Sequence, residues 1–144
     1  MNTTKSLPVN FLFSITADTG NPAPIVIPRG DGNLTIVTVM SGTFEGPSIK
    51  GRVLPIAGGD WISVRADGSM RLDVRIVLET DDKELIYMTY GGIGVVAEGG
   101  SLSLRTTPLF ETSSAKYGYL NSIQAVATGS VGPGTVSYEV YSLL

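Results

Sequence analysis

Hydrophobic and polar residues alternate along most of the chain, and runs with the spacing of a helix are almost absent. A period of two is typical of strands, because successive side chains of a strand point to opposite faces. The pattern predicts a short strand at 25–27 and ten longer strands. The longer segments are 9–17, 34–44, 49–54, 61–65, 70–80, 84–90, 93–97, 102–107, 119–128 and 135–142.

Glycine-containing pairs separate many of these segments and predict tight turns, since glycine adopts the positive φ angles that such turns require. Only residues 108–117 lack strand character, and 112–116 could form one helical turn. Many short strands at regular spacing predict a single all-β domain over residues 1–144. We expect an antiparallel up-and-down β-barrel of about 8–10 strands with at most one short helical turn, because closure removes exposed edges. The pairs are Asp31-Gly32, Gly58-Gly59, Asp67-Gly68, Gly91-Gly92 and Gly99-Gly100.

The segment 70–80 has two clearly different faces. One face is apolar and consists of Leu72, Val74, Ile76 and Leu78. The other carries Arg71, Asp73, Arg75, Val77 and Glu79. Alternation fixes the register of this strand but leaves two interpretations open. Either the charged face meets water, or it lines a barrel lumen while a second layer or a partner subunit covers the apolar face.

Composition excludes several kinds of chemistry. The 144 residues contain no cysteine and no histidine, so thiolate nucleophiles, Ser-His-Asp triads and zinc–sulfur sites are excluded. A net charge of −3 without a basic stretch disfavours nucleic acid and anionic membranes. We expect a cytoplasmic protein without cofactor or metal. The Asp81-Asp82 pair predicts a hairpin turn rather than a metal site, and residues 91–94 lack the lysine and helix of a phosphate loop.

A series of short motifs follows in order along the chain. They are Gly42-Thr43-Phe44-Glu45-Gly46-Pro47, Gly51, Gly58-Gly59-Asp60-Trp61, Asp67-Gly68, Leu72-Asp73-Val74-Arg75, Thr80-Asp81-Asp82, Ile86-Tyr87, Arg105-Thr106-Thr107-Pro108-Leu109-Phe110-Glu111-Thr112 and Tyr117-Gly118-Tyr119-Leu120-Asn121. In these motifs and their order, from about Thr35 to the C-terminus, the chain resembles domain of unknown function 3237, also called uncharacterised protein family 0311. That family usually has glycine after the paired aspartates, where this chain has Lys83.

The resemblance implies a small antiparallel β-barrel that commonly self-associates, and it supplies no reaction. It favours the interpretation in which charged residues line the lumen. The polar motif positions Asp60, Asp73, Arg75 and Glu111 are therefore the candidate catalytic residues. We expect a homo-oligomer, most simply a dimer.

Each candidate has a structural interpretation beside the functional one. Asp60 could cap a turn, with Trp61 in the core, or act as a general acid or base whose pKa is raised by desolvation beside that aromatic wall. Asp73 and Arg75 could form an ion pair, or Arg75 could stabilise an oxyanion that Asp73 helps to orient. The irregular segment with Phe110 and Glu111 could be a plain crossover or a lid over the barrel mouth.

We predict that further side chains contact a small apolar or oxygenated molecule, with Tyr117 as an additional possible hydrogen-bond donor. The hypothesis favoured by the sequence is a cofactor-independent isomerase, cyclase or lyase that uses carboxylate and arginine groups in the lumen. Alternatives are a non-catalytic small-ligand carrier and a structural or assembly subunit. The predicted substrate-binding residues are Trp61, Glu79, Tyr87, Arg105, Phe110, Tyr119 and Asn121.

Overall fold

The computed structural model describes residues 3–55 and 58–144. The regular secondary structure of these segments consists of strands and one 3₁₀ turn, at Gly118–Ser122. The strands are β1 (Val9–Asp18), β2 (Ile25–Arg29), β3 (Gly32–Thr38), β4 (Ser41–Glu45), β5 (Lys50–Val53), β6 (Gly59–Val64), β7 (Met70–Thr80), β8 (Leu85–Val96), β9 (Leu102–Thr106), β10 (Leu109–Glu111), β11 (Ala125–Gly132) and β12 (Thr135–Leu143).

All strands belong to one antiparallel sheet that closes on itself, which confirms the predicted β-barrel. The closed ring runs β8-β9-β11-β12-β1-β4-β5-β7 and returns to β8. The closing pair is the longest register in the sheet, from Met70↔Gly94 to Glu79↔Leu85. Strand β7 pairs with β5 near its C-terminal end and with β6 near its N-terminal end. The strands β6-β3-β2 therefore form a three-stranded extension of the wall, which we call the flap.

The apolar face of β7 points into the barrel and the charged face points outward. Leu72, Val74, Ile76 and Leu78 are buried, whereas Arg71, Asp73 and Arg75 are exposed. The interpretation that charged groups of this strand line the lumen is therefore wrong. Burying the aliphatic side chains is favourable, whereas moving several charges out of water is costly unless each has a partner.

The two ends of the barrel differ. At one end the rings of Phe13, Phe44 and Phe110 pack together, with centroids 5.4 and 6.0 Å apart. Leu120 and Tyr117 are buried, and the 3₁₀ turn packs against β10, which carries Phe110, so the segment around this turn closes this end. The other end contains a cavity, which is described below.

Several of the predicted strands have different bounds in the structure. Segment 34–44 is divided between β3 and β4, because β3 pairs with β6 while β4 pairs with β1 and β5. Segments 84–90 and 93–97 are one strand, β8, and the turn predicted at Gly91-Gly92 is wrong. At Gly92 a Cβ would lie 2.3 Å from the carbonyl oxygen of Arg105, so this glycine permits close approach of β9.

The predicted irregular segment is also partly wrong. Residues 109–111 form β10, which pairs with β8. The helical turn expected at 112–116 lies instead at Gly118–Ser122, within the segment predicted as the strand 119–128. The turns predicted at Asp67-Gly68, Gly99-Gly100 and Asp81-Asp82 are confirmed. The hairpin turn predicted at Asp31-Gly32 lies one residue earlier, at Gly30-Asp31, and Gly32 is the first residue of β3.

Within the described segments, the structure contains no helix of the length and apolarity needed to cross a membrane.

Candidate functional site

The open end of the barrel encloses a cavity of about 170 Å³. Its wall is almost entirely aliphatic and aromatic. Among the described residues that line it, Asp60 carries the only carboxyl group and none carries a cationic side chain. A concave, apolar chamber with few polar groups is the usual form of a small-molecule site. Its lining includes Ile15, Ala17, Val37, Val39, Ile62, Met70, Leu72, Val74, Ile76, Leu104, Val136, Tyr90 and Tyr138.

The register of four strands places Asp60 in the inner face of the wall. Asp60 lies opposite Val37 on one side and Val74 on the other, and Val74 lies opposite Tyr90. Residues directly opposite each other share a face of the sheet, so this row points into the lumen. Asp60 therefore lies between aliphatic neighbours, with a tyrosine one strand further along the row.

Burial raises the pKa of the Asp60 carboxyl group from 3.8 to about 7. The backbone N–H of Asp73, which donates to Oδ1 of Asp60 at 3.3 Å, opposes this rise. The negative charge of Asp73 adds to the rise. Desolvation dominates because an ionised carboxylate loses most of its hydration in such surroundings. The predicted rise in the pKa of Asp60 is present, but the aromatic side chains in the cavity are Tyr90 and Tyr138, not the predicted Trp61.

Two tyrosines face Asp60 across the cavity, and neither is among the site residues predicted from the sequence. Tyr90 lies on β8 and Tyr138 on β12, and their rings meet edge to face with centroids 5.3 Å apart. Burial and the nearby Asp60 charge raise the pKa of Tyr138, and burial raises the pKa of Tyr90 well above its usual value. Both hydroxyl groups therefore stay protonated at working pH and can donate hydrogen bonds.

The alternation of buried and exposed positions along β8 and β12 indicates that both tyrosines point inward. Tyr90 continues the buried series of Ile86 and Met88, and Tyr138 stands between Val136 and Val140 at the same spacing. Knowing that apolar faces point inward would have placed both tyrosines in the lumen.

Trp61, Asp73 and Arg75 lie on the outer surface, behind Asp60. Trp61 is 39% exposed, so it is neither a core residue nor a wall of the cavity. The guanidinium of Arg75 stacks over its ring at 6.0 Å. Ion pairs within the described segments join Arg52 to Glu79, Lys83 to Glu79, and Lys116 to Asp82, so the predicted Asp73–Arg75 pair is not formed.

The remaining predicted site residues are dispersed away from the cavity. Phe110 belongs to the closed end, and Glu111 is exposed at the end of β10. The predicted lid is therefore wrong, because β10 is paired with β8 at the far end of the barrel from the mouth. Glu79 and Arg105 face outward, with Glu79 bonded to Arg52 at 3.1 Å and Arg105 to Ser103 at 3.0 Å.

Three further predicted contacts have other roles or positions. Tyr87 and Tyr119 are exposed. The side chain of Asn121 bonds the backbone of Thr112 twice, accepting from its N–H at 2.9 Å and donating to its carbonyl oxygen at 2.8 Å. Asn121 thus ties the 3₁₀ turn to the segment that follows β10, which is a structural role. Of the predicted site residues, the structure places only Asp60 in the cavity.

The described residues contain no cluster of three or more acidic side chains that could hold a metal ion. The part of the lining that the structure describes is apolar apart from Asp60, the two tyrosines and Thr19, and offers no group suited to hold a phosphate. What the site can do chemically is therefore proton transfer by one carboxyl group, assisted by hydrogen bonds from phenolic hydroxyls.

Fold and site together define a small closed β-barrel with one carboxyl group of near-neutral pKa in an apolar chamber. The chain belongs to the family described as protein of unknown function (DUF3237), whose sequence model matches residues 7–143. The resemblance drawn from the motifs is thereby confirmed.

Three comparisons support the family and the fold. A UPF0311 protein of Clostridium acetobutylicum is 30% identical over 148 residues, covering 92% of this chain and 90% of that protein. The hydroalkoxylation enzyme phnH of Penicillium herquei is 32% identical over 122 residues, covering 83% and 72%. The crystal structure of a β-barrel-like protein from Acinetobacter baumannii superposes with a TM-score of 0.88 at 30% identity, covering 100% of both chains.

Proposed function

We propose that the protein is an enzyme that moves a proton on a small, uncharged and largely apolar molecule bound in the cavity. The observation that supports this proposal most strongly is the position of Asp60. A carboxyl group whose pKa lies at about 7 populates both protonation states near neutrality. It can therefore accept a proton from a substrate and return it to another atom without any change in the enzyme.

The two tyrosines supply the second element of the chemistry. Tyr90 and Tyr138 both lie close enough to Asp60 for its charge to act on their hydroxyl groups. A substrate oxygen that gains negative charge when Asp60 removes its proton can accept hydrogen bonds from these hydroxyls. Donors already oriented in a water-poor chamber stabilise such charge more effectively than water does.

The lining indicates the charge of the substrate. A carboxylate or phosphate in the chamber would meet no cation among the described lining residues and would lie near the ionisable Asp60. An unpaired buried charge is too costly to bind in this way. The substrate we propose is therefore neutral, with an aliphatic or aromatic skeleton and one proton-donating group such as a hydroxyl.

The name of the Penicillium relative suggests a reaction that fits these groups. In hydroalkoxylation an O–H bond adds across a carbon–carbon double bond. Asp60 as carboxylate would take the hydroxyl proton, the oxygen would bond one alkene carbon, and the protonated Asp60 would deliver the proton to the other. Atoms and charge balance without a cofactor or an oxidant, and Asp60 returns to its starting state.

A simple probe tests this proposal. 2-Allylphenol is neutral, carries one hydroxyl and one alkene, and closes to 2-methyl-2,3-dihydrobenzofuran if its O–H adds across the double bond. We expect the wild type to bind 2-allylphenol, to form this product, and to exclude 2-allylbenzoate, which has a similar skeleton and a negative charge.

The variant Asp60→Asn keeps the size of the side chain and removes its acid–base function, so we expect turnover to fall by about 10²-fold or more. The matched control is Asp31→Asn, the same change in an exposed hairpin turn. Turnover by Asp60→Asn at the wild-type rate would contradict the assignment. Binding of 2-allylphenol and other neutral hydroxyalkenes without any product would favour the carrier over the enzyme.

A further inference from the structure

The ladder between β6 and β7 is interrupted beside Asp60. Pairing runs from Gly59↔Arg75 to Asp60↔Val74, stops, and resumes at Ser63↔Arg71. The Asp73 N–H within this gap donates to the Asp60 carboxyl group instead of a backbone carbonyl. A gap of this kind is a place where water could reach a buried carboxyl group through the wall, because strand hydrogen bonds no longer seal it.

Trp61 borders this gap, and its ring lies on the outer side of β6 behind Asp60. A Cβ placed on Gly59 would lie 3.2 Å from Cη2 and Cζ3 of Trp61, so the ring folds back along β6 over the bare glycine. The guanidinium of Arg75, whose residue pairs with Gly59, stacks on this ring at 6.0 Å. Arg75 and Gly59 thus hold an otherwise exposed indole flat against the strand that carries Asp60.

We propose that the Trp61 ring, held by Arg75, seals the outer side of the wall beside the interrupted β6–β7 ladder and so keeps water away from Asp60. Trp61 and Arg75 are then positioning residues, since neither lines the cavity. This inference deepens the proposed function, because it names what maintains the carboxyl group on which that function rests. It also explains why an aromatic residue directly follows Asp60 while its side chain points away from the chamber.

The ionisable groups that interact electrostatically with Asp60 come from three strands. They are Asp73 on β7, Tyr90 on β8 and Tyr138 on β12, while β3 presents the aliphatic Val37. None of these is altered when Trp61 is replaced, and the loss of the Arg75 charge would by itself raise the pKa of Asp60 and not lower it. A change in the titration of Asp60 in such variants therefore reports the loss of the seal.

The test is a carbon-13 NMR titration of the Asp60 carboxyl group in the free protein, with Asp60→Asn used to assign the signal. We expect Trp61→Ala to lower the titration midpoint by about one pH unit or more, because water then solvates the carboxylate. Trp61→Phe, which keeps a ring over Gly59, restores most of the wild-type midpoint. Arg75→Met gives a smaller decrease, because the ring loses its stacking partner.

The matched control is Arg71→Met, the same substitution on the same face of β7, opposite Ser63 rather than Gly59. It leaves the midpoint unchanged. Circular dichroism and thermal unfolding establish that each variant is folded, which is expected because Trp61 and both arginines are exposed. A second variant, Gly59→Ala, displaces the ring without removing it and lowers the midpoint in the same direction.

An Asp60 midpoint that is unchanged in folded Trp61→Ala overturns the inference. An equal decrease in Arg71→Met overturns it as well, since a general loosening of β7, and not the loss of the stacked ring, would then explain the result. The outcome is separable from the proposed function because the titration needs no substrate. If the midpoint shifts in Trp61→Ala but no neutral substrate is ever converted, the seal stands and the enzymatic proposal fails.

Discussion

The backbone N–H of Asp73 donates to Oδ1 of Asp60 at 3.3 Å, and this bond ties the carboxyl group that faces the cavity to the neighbouring strand. Because Oδ1 is engaged, Oδ2 is the oxygen available to a bound molecule. Asp73 itself points outward, so its backbone positions Asp60 while its side chain contributes only a distant charge. The site therefore depends on the geometry of the wall as much as on the residues that face the lumen.

The raised pKa of Asp60 predicts how stability changes with pH. Between about pH 4 and pH 7 the unfolded chain has lost this proton and the folded chain retains it, so the free energy of unfolding falls as pH rises. A shift from 3.8 to about 7 corresponds to a loss of about 4 kcal/mol over this range. Urea unfolding at intervals of pH measures the slope.

The variant Asp60→Asn provides the comparison, since its side chain does not titrate. We expect its stability to be flatter between about pH 4 and pH 7 than that of the wild type. Identical slopes in the two proteins would show that Asp60 does not keep its proton in the folded state.

Gly129 gives room to one of the two tyrosines. It pairs with Tyr138, and a Cβ at this position would lie 2.4 Å from Cδ1 of the ring. We expect Gly129→Ala to displace the ring and to lower the free energy of unfolding by about 1–3 kcal/mol. Gly91→Ala is the control, because a Cβ there would meet only the carbonyl oxygen of Leu72 at 3.5 Å. Equal losses in the two variants would contradict this explanation.

Lys83 occupies a backbone conformation that suits glycine better. Its φ of 71° lies in the left-handed region, where a side chain costs about 1 kcal/mol or more. Its contact with Glu79, at 3.9 Å and exposed, contributes little. We expect Lys83→Gly to raise the free energy of unfolding by about 1 kcal/mol in urea titrations. Lys50→Gly, in the regular strand β5, should lower it, and stabilisation by both changes would refute the argument.

Asp82 joins the turn after β7 to the closed end of the barrel. Tyr117 donates to its Oδ1 at 2.9 Å, Thr80 donates to the same oxygen at 2.6 Å, and Lys116 donates to Oδ2 at 2.8 Å. The hydrogen bonds from Lys116 and Thr80, and then that from Tyr117, hold the pKa of Asp82 well below its usual range. The stabilisation that these hydrogen bonds give to the folded state is present above about pH 4, where Asp82 is ionised, and is lost as pH falls further and Asp82 becomes protonated.

Replacing Tyr117 by Phe removes one of these bonds and keeps the ring in the core. We expect a lower urea midpoint at neutral pH and a smaller difference from the wild type in strong acid, where Asp82 is protonated. Tyr87→Phe, on an exposed tyrosine, serves as the control. A deficit of Tyr117→Phe that is independent of pH would show that the hydroxyl acts through another group.

Much of the fold could be predicted from alternation, but the inner face could not. The series at Leu72–Leu78 and Arg71–Arg75 shows two faces, and the choice between them depends on what the rest of the sheet encloses. The family resemblance favoured charges in the lumen, and this was wrong for every candidate except Asp60. Asp60 is the exception. It faces the lumen because it lies opposite Val37 and Val74 on the inner face of the wall, and the backbone N–H of Asp73 donates a hydrogen bond to its carboxyl group.

Other features depend on contacts between distant parts of the chain. The path of β8 through Gly91 and Gly92 follows from the approach of β9, which a local turn pattern does not reveal. Tyr90 and Tyr138 are 48 positions apart and meet only because the barrel closes. The seal formed by Trp61 depends on a gap in pairing that no motif marks.

The titration of Asp60 in the free wild-type protein tests the central claim most directly. Carbon-13 NMR of its carboxyl group, assigned with Asp60→Asn, should show a midpoint at about pH 7. A midpoint at about pH 4, the ordinary value for an aspartate, would contradict the account, because Asp60 would then be a permanently ionised group unsuited to shuttle a proton.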